Sequence, residues 1–270
     1  MQVRSLGYRT DLIFSAFNGE VIDRGDHLVI RTPSNPTFYW GNYLLFNTPP
    51  RAGDFKRWRD LFTLEIGSPA DVRHQTYGWD TTHGEVGAVE AFLEDGFELA
   101  RQTVLTAQRL AAPAPPAKAV AIRHLRSDDD WLRALENQVR CREPAHDEAG
   151  YRKFKERQMA SYRSMSGAGK GEWFGAFSGE DLLADLGIFH AGQLARYQSV
   201  ETRPEYRRQG IAGNLVYQAG QYALTHFGVD TLVIVADHES TASRLYRSVG
   251  FNPKEQQMGL ERWSPEPVQS

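Results

Sequence analysis

The chain is poor in cysteine: Cys141 is the single one in 270 residues. That excludes an intramolecular disulfide and any metal site built from several cysteines. The chain also lacks an apolar run of the ~18–20 residues that a membrane-spanning helix needs. Its first residues, Met1 to Leu12, hold no apolar segment of the signal-peptide kind. Neither sign of charge dominates: 31 Lys and Arg against 34 Asp and Glu give a formal net charge of −3. No global basic field therefore argues for nucleic acid. A phosphate loop of the form G-x-x-x-x-G-K-S/T is missing as well. These absences lead us to expect a cytoplasmic protein with no metal, no nucleic-acid partner and no membrane partner. Cys141 lies in a charged, helix-like segment, which favours a bystander over a nucleophile.

What is present is ordinary for a globular protein: 41% hydrophobic and 24% charged residues. The length fits one large domain or two small ones. Ala111 to Lys118 is rich in alanine and proline, a stiff linker with no capacity to form a core. It predicts an N-terminal domain over 1–111, a linker over 112–118, a second domain over 119–264 and a tail over 265–270.

The second domain alternates strand and helix signals. Ala119 to Leu125 reads as a strand. Ser127 caps a helix with Asp128, Asp129 and Asp130 in its first turn, and that helix reaches about Cys141. An amphipathic helix covers about Glu148 to Met165. Trp173 to Phe177 and Leu182 to His190 form a hairpin turning near Gly179. Leu194 to Thr202 is the next strand, and Asn214 to Phe227 is helical. Thr231 to Ala236 is a continuous apolar run, the pattern of a buried strand. A helix from about Ser240 to Ser248 stops at Gly250. A last strand runs from Phe251 to about Trp263.

Arg207-Arg208-Gln209-Gly210-Ile211-Ala212-Gly213 joins one of these strands to one of these helices. The first amides of a helix lack partners within it and lie at the positive end of its dipole, so they suit a phosphate. Gly210 and Ala212 let the backbone approach closely, and Arg207 and Arg208 add positive charge. A basic helix start on the surface is the plainer alternative.

The spacing Arg207-x-x-Gly210-x-Ala212 resembles the acyl-CoA signature of the GNAT acetyltransferase superfamily. Ala242-x-x-Leu245-Tyr246-x-x-x-Gly250-Phe251 resembles the segment that follows the fifth strand in that family. Val200 to Arg207 is similar to its approach to the anion turn. The resemblance covers roughly 119 to 264 and implies an α+β fold, a GNAT-type mixed and mostly antiparallel sheet flanked by helices. It implies acetyl-CoA as acyl donor and an N-acyltransferase that acts by direct transfer to a primary amine in a ternary complex. It implies that the amides from Arg208 through Gln209, Gly210, Ile211 and Ala212 to Gly213 hold the pyrophosphate beside Arg207. Val200 and Thr202 would meet the pantetheine arm and acetyl carbonyl, with Ser243 also on the cofactor. Arg244 and Arg247 would meet the 3′-phosphate or simply form a solvated face. Tyr246 would donate a proton to the leaving thiolate, or else pack as an ordinary aromatic.

The chain departs from the family pattern at two places. Some relatives carry a glutamate base eleven residues before the anion motif, where this chain has Arg196. Glu201 is the nearest carboxylate and the candidate base; His190 is a second candidate, and a water chain a third. An asparagine that often contacts the pantetheine arm is replaced by Glu239.

The N-terminal segment has the same order of elements: a strand over Phe38 to Phe46, Pro49 to Gly53 in place of the anion turn, a helix from Asp54 (N-cap) to Ile66, a strand over Val72 to Trp79 and a closing strand over Glu98 to Thr106. It reads as a degenerate GNAT-like domain, with an unrelated α+β cap as the other reading. Its two prolines lack N–H donors, so a single acyl-CoA site is expected, in the C-terminal domain. The N-terminal domain would shape the acceptor pocket or mimic a dimer partner. The acceptor is expected to be a small-molecule amine before a protein N-terminus or lysine, and the chain a monomer or homodimer. A non-catalytic acyl-CoA sensor and a nucleotide-phosphate binder are the competing readings.

Overall fold

The computed structural model describes residues 1–68, 72–238 and 240–263. The chain folds as two compact units, one of Met1–Val104 joined by the segment from Lys254 onward, the other of Leu105–Pro253.

The first unit opens with α1 (Leu6–Asn18), β1 (Glu20–Asp23) and β2 (His27–Arg31), then a 3-10 turn at Tyr39–Gly41 and β3 (Tyr43–Phe46). There follow α2 (Asp54–Glu65), β4 (His74–Trp79), α3 (Glu90–Glu94) and β5 (Glu98–Ala107), whose last residues belong to the second unit. The orphan amides at the start of α1 are met by carboxylates. Asp80 accepts from the amides of Arg4 and Ser5, each at 2.8 Å, and Glu255 from that of Leu6 at 2.7 Å. β1, β2 and β3 pair antiparallel in that order, and β4 runs parallel to β3. The core is aromatic, with Trp58 stacked on Phe46 at 3.8 Å and Tyr77, Phe62, Phe92 and Phe97 around them.

Two expectations change here. Phe38 to Phe46 is not one strand, because Asn42 folds its first half into a turn. The Asn42 amide donates to the carbonyls of Asn35 (3.0 Å) and Phe38 (2.8 Å), and its oxygen accepts from Thr32 (2.8 Å). Asp54 is not the N-cap of α2. Gly53 holds that place at φ +92°, and Asp54 instead accepts from the Arg51 amide at 2.9 Å. The sequence reading also passed over α1, β1 and β2; β1 is four residues long and largely exposed.

The second unit contains β6 (Ala121–His124), α4 (Asp128–Arg140), α5 (Glu148–Gly167), β7 (Gly171–Ser178), β8 (Asp181–Ala191), β9 (Leu194–Thr202), α6 (Ile211–His226), β10 (Thr231–Asp237) and α7 (Thr241–Ser248). β11 (Asn252–Trp263) closes the chain. Ser127 caps α4 in a reciprocal capping box with Asp130. β6 to β9 pair antiparallel in sequence order, and β10 runs parallel to β9. Side chains alternate across a strand. Trp173 meets Tyr162 of α5 at 5.0 Å between ring centroids, while Phe174 meets Tyr222 of α6 at 5.5 Å. The helices α4 and α5 therefore cover one face and α6 the other.

The compact units do not divide the chain at the Ala/Pro segment. Residues 112–118 lie within the second unit, and most of β11 belongs to the first, where it pairs antiparallel with β4. Both units share one construction: a parallel strand pair joined by a helix that starts after a glycine with positive φ, Gly53 at +92° and Gly210 at +79°. Among the described residues, no helix is long and apolar enough to cross a membrane. No group of three or more His, Cys, Asp or Glu among them could hold a metal ion.

Candidate active site

Arg207 to Gly213 form the turn that joins β9 to α6. A 3-10 turn at Pro204–Tyr206 leads from β9 into Arg207 and Arg208, both exposed, and Gly210 caps α6. Arg208 has φ +61° and Gly210 φ +79°, so two left-handed residues turn the chain into the helix. A Cβ on Gly210 would lie 3.3 Å from Cα of Pro116. The Ala/Pro segment therefore does not float free. The Ala117 amide donates to the Gln209 carbonyl at 2.9 Å, and Asn214 donates to the Ala114 carbonyl at 2.9 Å. Arg207 Nε donates to the Thr202 carbonyl at 3.0 Å, tying the turn to the end of β9.

β9 is bulged just before that end. Asp185 of β8 faces Glu201, and Gly187 faces Gln198, so Leu186 alone faces both Ser199 and Val200. Ser199 takes φ +48°, a left-handed conformation that non-glycine residues seldom adopt. Among the described residues, parallel pairing of β9 with β10 runs from Thr231↔Leu194 to Val233↔Arg196, while β9 continues to Thr202. Ser199 to Thr202 is thus a partly exposed strand end past the last parallel pair.

Glu201 is the electrostatic centre of this region. Burial raises its pKa, and Lys155, Arg207 and a hydrogen bond from the Cys141 thiol oppose the rise. Burial likewise raises Tyr246, with the charges of Glu201 and Asp237 adding to it, so its hydroxyl holds its proton firmly. Tyr246 is nearly fully buried. Burial pushes the Cys141 thiol up to about 12, and the charges of Glu201 and Asp185 reinforce the shift. Cys141 is therefore a neutral thiol beside Glu201, closer to the site than its sequence context indicated.

Behind Glu201 lies a set of buried polar groups that the sequence reading missed. Asp185 is pushed up to about 7 by burial, against hydrogen bonds from Asn137 (2.6 Å), Gln138 (2.6 Å) and Trp173 (3.1 Å). Burial pulls Lys155 down to about 8; its ammonium donates to Gln138 at 3.1 Å and Gln158 at 2.9 Å. A signal for both was present. Asp185 is the one charge within the apolar run Leu182 to Phe189, and Lys155 shares a helix face with Met159, Tyr162 and Met165.

Ser243 is buried in the first turn of α7, its amide donating to Ser240 at 3.2 Å. Arg244 and Arg247 are exposed on α7. Arg196 is buried, with Nε donating to the Tyr197 carbonyl at 3.1 Å. His190 faces Ala195 at the far end of the β8–β9 hairpin, roughly 20 Å of strand from Glu201. There it stacks on Phe227 at 4.4 Å and is not part of this cluster. Glu239 lies outside the described residues.

The sequence model of the acetyltransferase (GNAT) domain matches residues 170–253, from β7 to the start of β11. The chain carries a GNAT acetyltransferase domain. Solved structures extend the likeness in fold beyond that domain. A functionally unknown conserved protein from Staphylococcus epidermidis ATCC 12228 is similar at a TM-score of 0.70 and 14% identity, over 92% of this chain and 95% of that one. A GCN5-related N-acetyltransferase from Kribbella flavida is similar at 0.64 and 16%, over 96% and 94%. A tandem GNAT protein from the clavulanic acid biosynthesis pathway is similar at 0.51 and 14%, over 78% of this chain and 69% of that one. No curated protein matches the chain in sequence. The GNAT domain thus contains the anion turn, Glu201 and Tyr246, while Gln138 of α4, the α4 C-cap Cys141 and Lys155 of α5 come before it.

Proposed function

We propose that the chain is an acyl-CoA-dependent N-acetyltransferase that moves the acetyl group of acetyl-CoA directly onto a primary amine of a small molecule. The observation that carries this reading is the pairing of two groups held in opposite protonation roles. Glu201 is a carboxylate whose pKa burial raises, the direction that strengthens a base, and Tyr246 is a buried phenol whose proton is hard to remove. The bulged end of β9 and the glycine-capped start of α6 lie beside them.

Acetyl-CoA fits these residues. The amides from Gln209 to Gly213, with Arg207 and Arg208, would hold the pyrophosphate. Val200 and Thr202 would meet the pantetheine arm and the acetyl carbonyl, and Ser243 lies at the start of the helix that carries Tyr246. When bound, acetyl-CoA supplies an activated acyl group. Glu201 takes the proton that the attacking amine must lose as the N–C bond forms. Tyr246 gives its proton to the sulfur as the C–S bond breaks, and is reprotonated from solvent. No covalent acyl-enzyme is needed, and the raised Cys141 thiol is unsuited to forming one.

We further infer that the first unit is a degenerate second copy without an acyl-CoA site. Gly53 supports the shared construction. Against a second site, Pro49 and Pro50 lack donors, and Asp54 puts a carboxylate at the helix start.

Calorimetry with acetyl-CoA, followed by thiol release measured over a broad panel of primary amines, tests the proposal. Binding with amine-dependent release is the expected result. Binding without release from any amine would make the chain an acyl-CoA sensor.

A further inference from the structure

We propose that Gln138 is a positioning residue of the acyl site: it holds the β9 bulge in shape, and Lys155 and Asp185 hold Gln138. This rests on the acetyl-CoA reading above.

Ser199 lies in the bulge of β9. A non-glycine residue at φ +48° is strained and persists only where its surroundings impose it. The Gln138 side-chain amide donates to the Ser199 carbonyl at 3.0 Å from α4, sixty-one positions away in sequence. The same NH2 group donates to Asp185 at 2.6 Å, directly across from Glu201. Its oxygen accepts from the Lys155 ammonium at 3.1 Å, and Lys155 is itself fixed by Gln158 at 2.9 Å. Gln138, Lys155 and Asp185 are all buried.

This pattern fixes the orientation of the amide. A primary amide can be placed either way round in a neutral pocket. Here a cation that only donates faces its oxygen, while a carboxylate and a carbonyl that only accept face its nitrogen. Turning it over would break all three hydrogen bonds and set donor against donor and acceptor against acceptor in a buried place. Gln138 therefore keeps its NH2 group turned toward β8 and β9, with one donor on Asp185 and one on the carbonyl of the strained residue. The next residue along is Val200, whose backbone meets the acyl end of the donor in the reading above.

Buried polar networks also contribute to stability, so the test needs a readout that stability alone does not move. CoA lacks the acetyl carbonyl, so the ratio of its Kd to that of acetyl-CoA reports on the bulge and needs no knowledge of the acceptor. Gln138→Met keeps the length and removes all three hydrogen bonds. We expect it to weaken acetyl-CoA about 10-fold while changing CoA by less than about 3-fold. Lys155→Met leaves the Gln138 donors in place but frees the amide to rotate. It should shift the same ratio in the same direction by about 3-fold, and it carries the test should the first variant fail to fold. Arg123→Met is the matched control. It breaks the bidentate pair with Asp130 (2.7 Å, 2.7 Å) at the other end of α4, lowering stability without touching the bulge. It should leave the ratio unchanged. If the Gln138 and Lys155 variants lower stability yet keep the wild-type ratio, their role is only structural and the inference is overturned. If wild-type protein binds neither CoA nor acetyl-CoA, the functional reading itself has failed, an outcome distinct from the first.

Discussion

Asp185 and Glu201 lie directly opposite each other on β8 and β9, and burial raises the pKa of both carboxyls. Two acids facing each other across a strand pair resist double ionisation. Hydrogen bonds ease the cost at Asp185, and Lys155 with Arg207 ease it at Glu201.

Asp185 gives stability a dependence on pH. Its pKa is raised on folding from an ordinary 3.8 to about 7. Its contribution is therefore complete below about pH 4 and lost as pH rises through 7. Lys155 acts in a separate window. Lowered from 10.5 to about 8, it penalises the fold below pH 8 and ceases to do so above its ordinary value. Asp185→Asn should remove the decline between pH 4 and 7, read from denaturant midpoints. The new amide has a ready acceptor, because the Asn137 side-chain oxygen is buried without a partner and can rotate to meet it. An unchanged decline would mean that Asp185 is ionised at little cost.

Glu201→Gln removes the proposed base and keeps its shape. It should lower kcat for amine acetylation by about 100-fold or more, with KM for acetyl-CoA changed by less than about 3-fold. The wild-type rate should rise through an acidic limb above the ordinary carboxylate range, because burial raises Glu201. An identical pH profile in the variant would assign the limb to another group.

Gly210 and Gly53 separate the two helix starts experimentally. Alanine at either must take a left-handed conformation, at a cost of about 1 kcal/mol. At Gly53 nothing lies within 4 Å of the new Cβ, whereas at Gly210 it would press on Pro116 at 3.3 Å. Both variants should melt earlier, Gly210→Ala more so. Only Gly210→Ala should weaken CoA binding, measured by calorimetry. Equal weakening by Gly53→Ala would contradict a single site.

The fold of the second unit was legible because its signals are local. A capping serine before three aspartates gives α4, and unbroken apolar residues give β10. The first unit was harder to read. The turn before β3 is made by Asn42 reaching back as far as Thr32, a tertiary arrangement that overrides an apolar run. Strand membership was also hidden, since nothing local tells β11 to pair with β4. At the site, the motifs pointed to Arg207, Gly210 and Tyr246, while Glu201 was chosen as the nearest carboxylate. Gln138, Lys155 and Asp185 come from three different elements, and only the hydrogen bonds between them reveal what they hold.

Amine-dependent thiol release from saturating acetyl-CoA, comparing wild type with Tyr246→Phe, tests the central claim most directly. We expect release from at least one primary amine. The variant should reduce it by about 100-fold while its Kd for CoA stays within about 3-fold of wild type. Release at the wild-type rate in the variant would contradict the acid role of Tyr246. Tight acetyl-CoA binding with no amine-dependent release in wild type would contradict acetyl transfer itself.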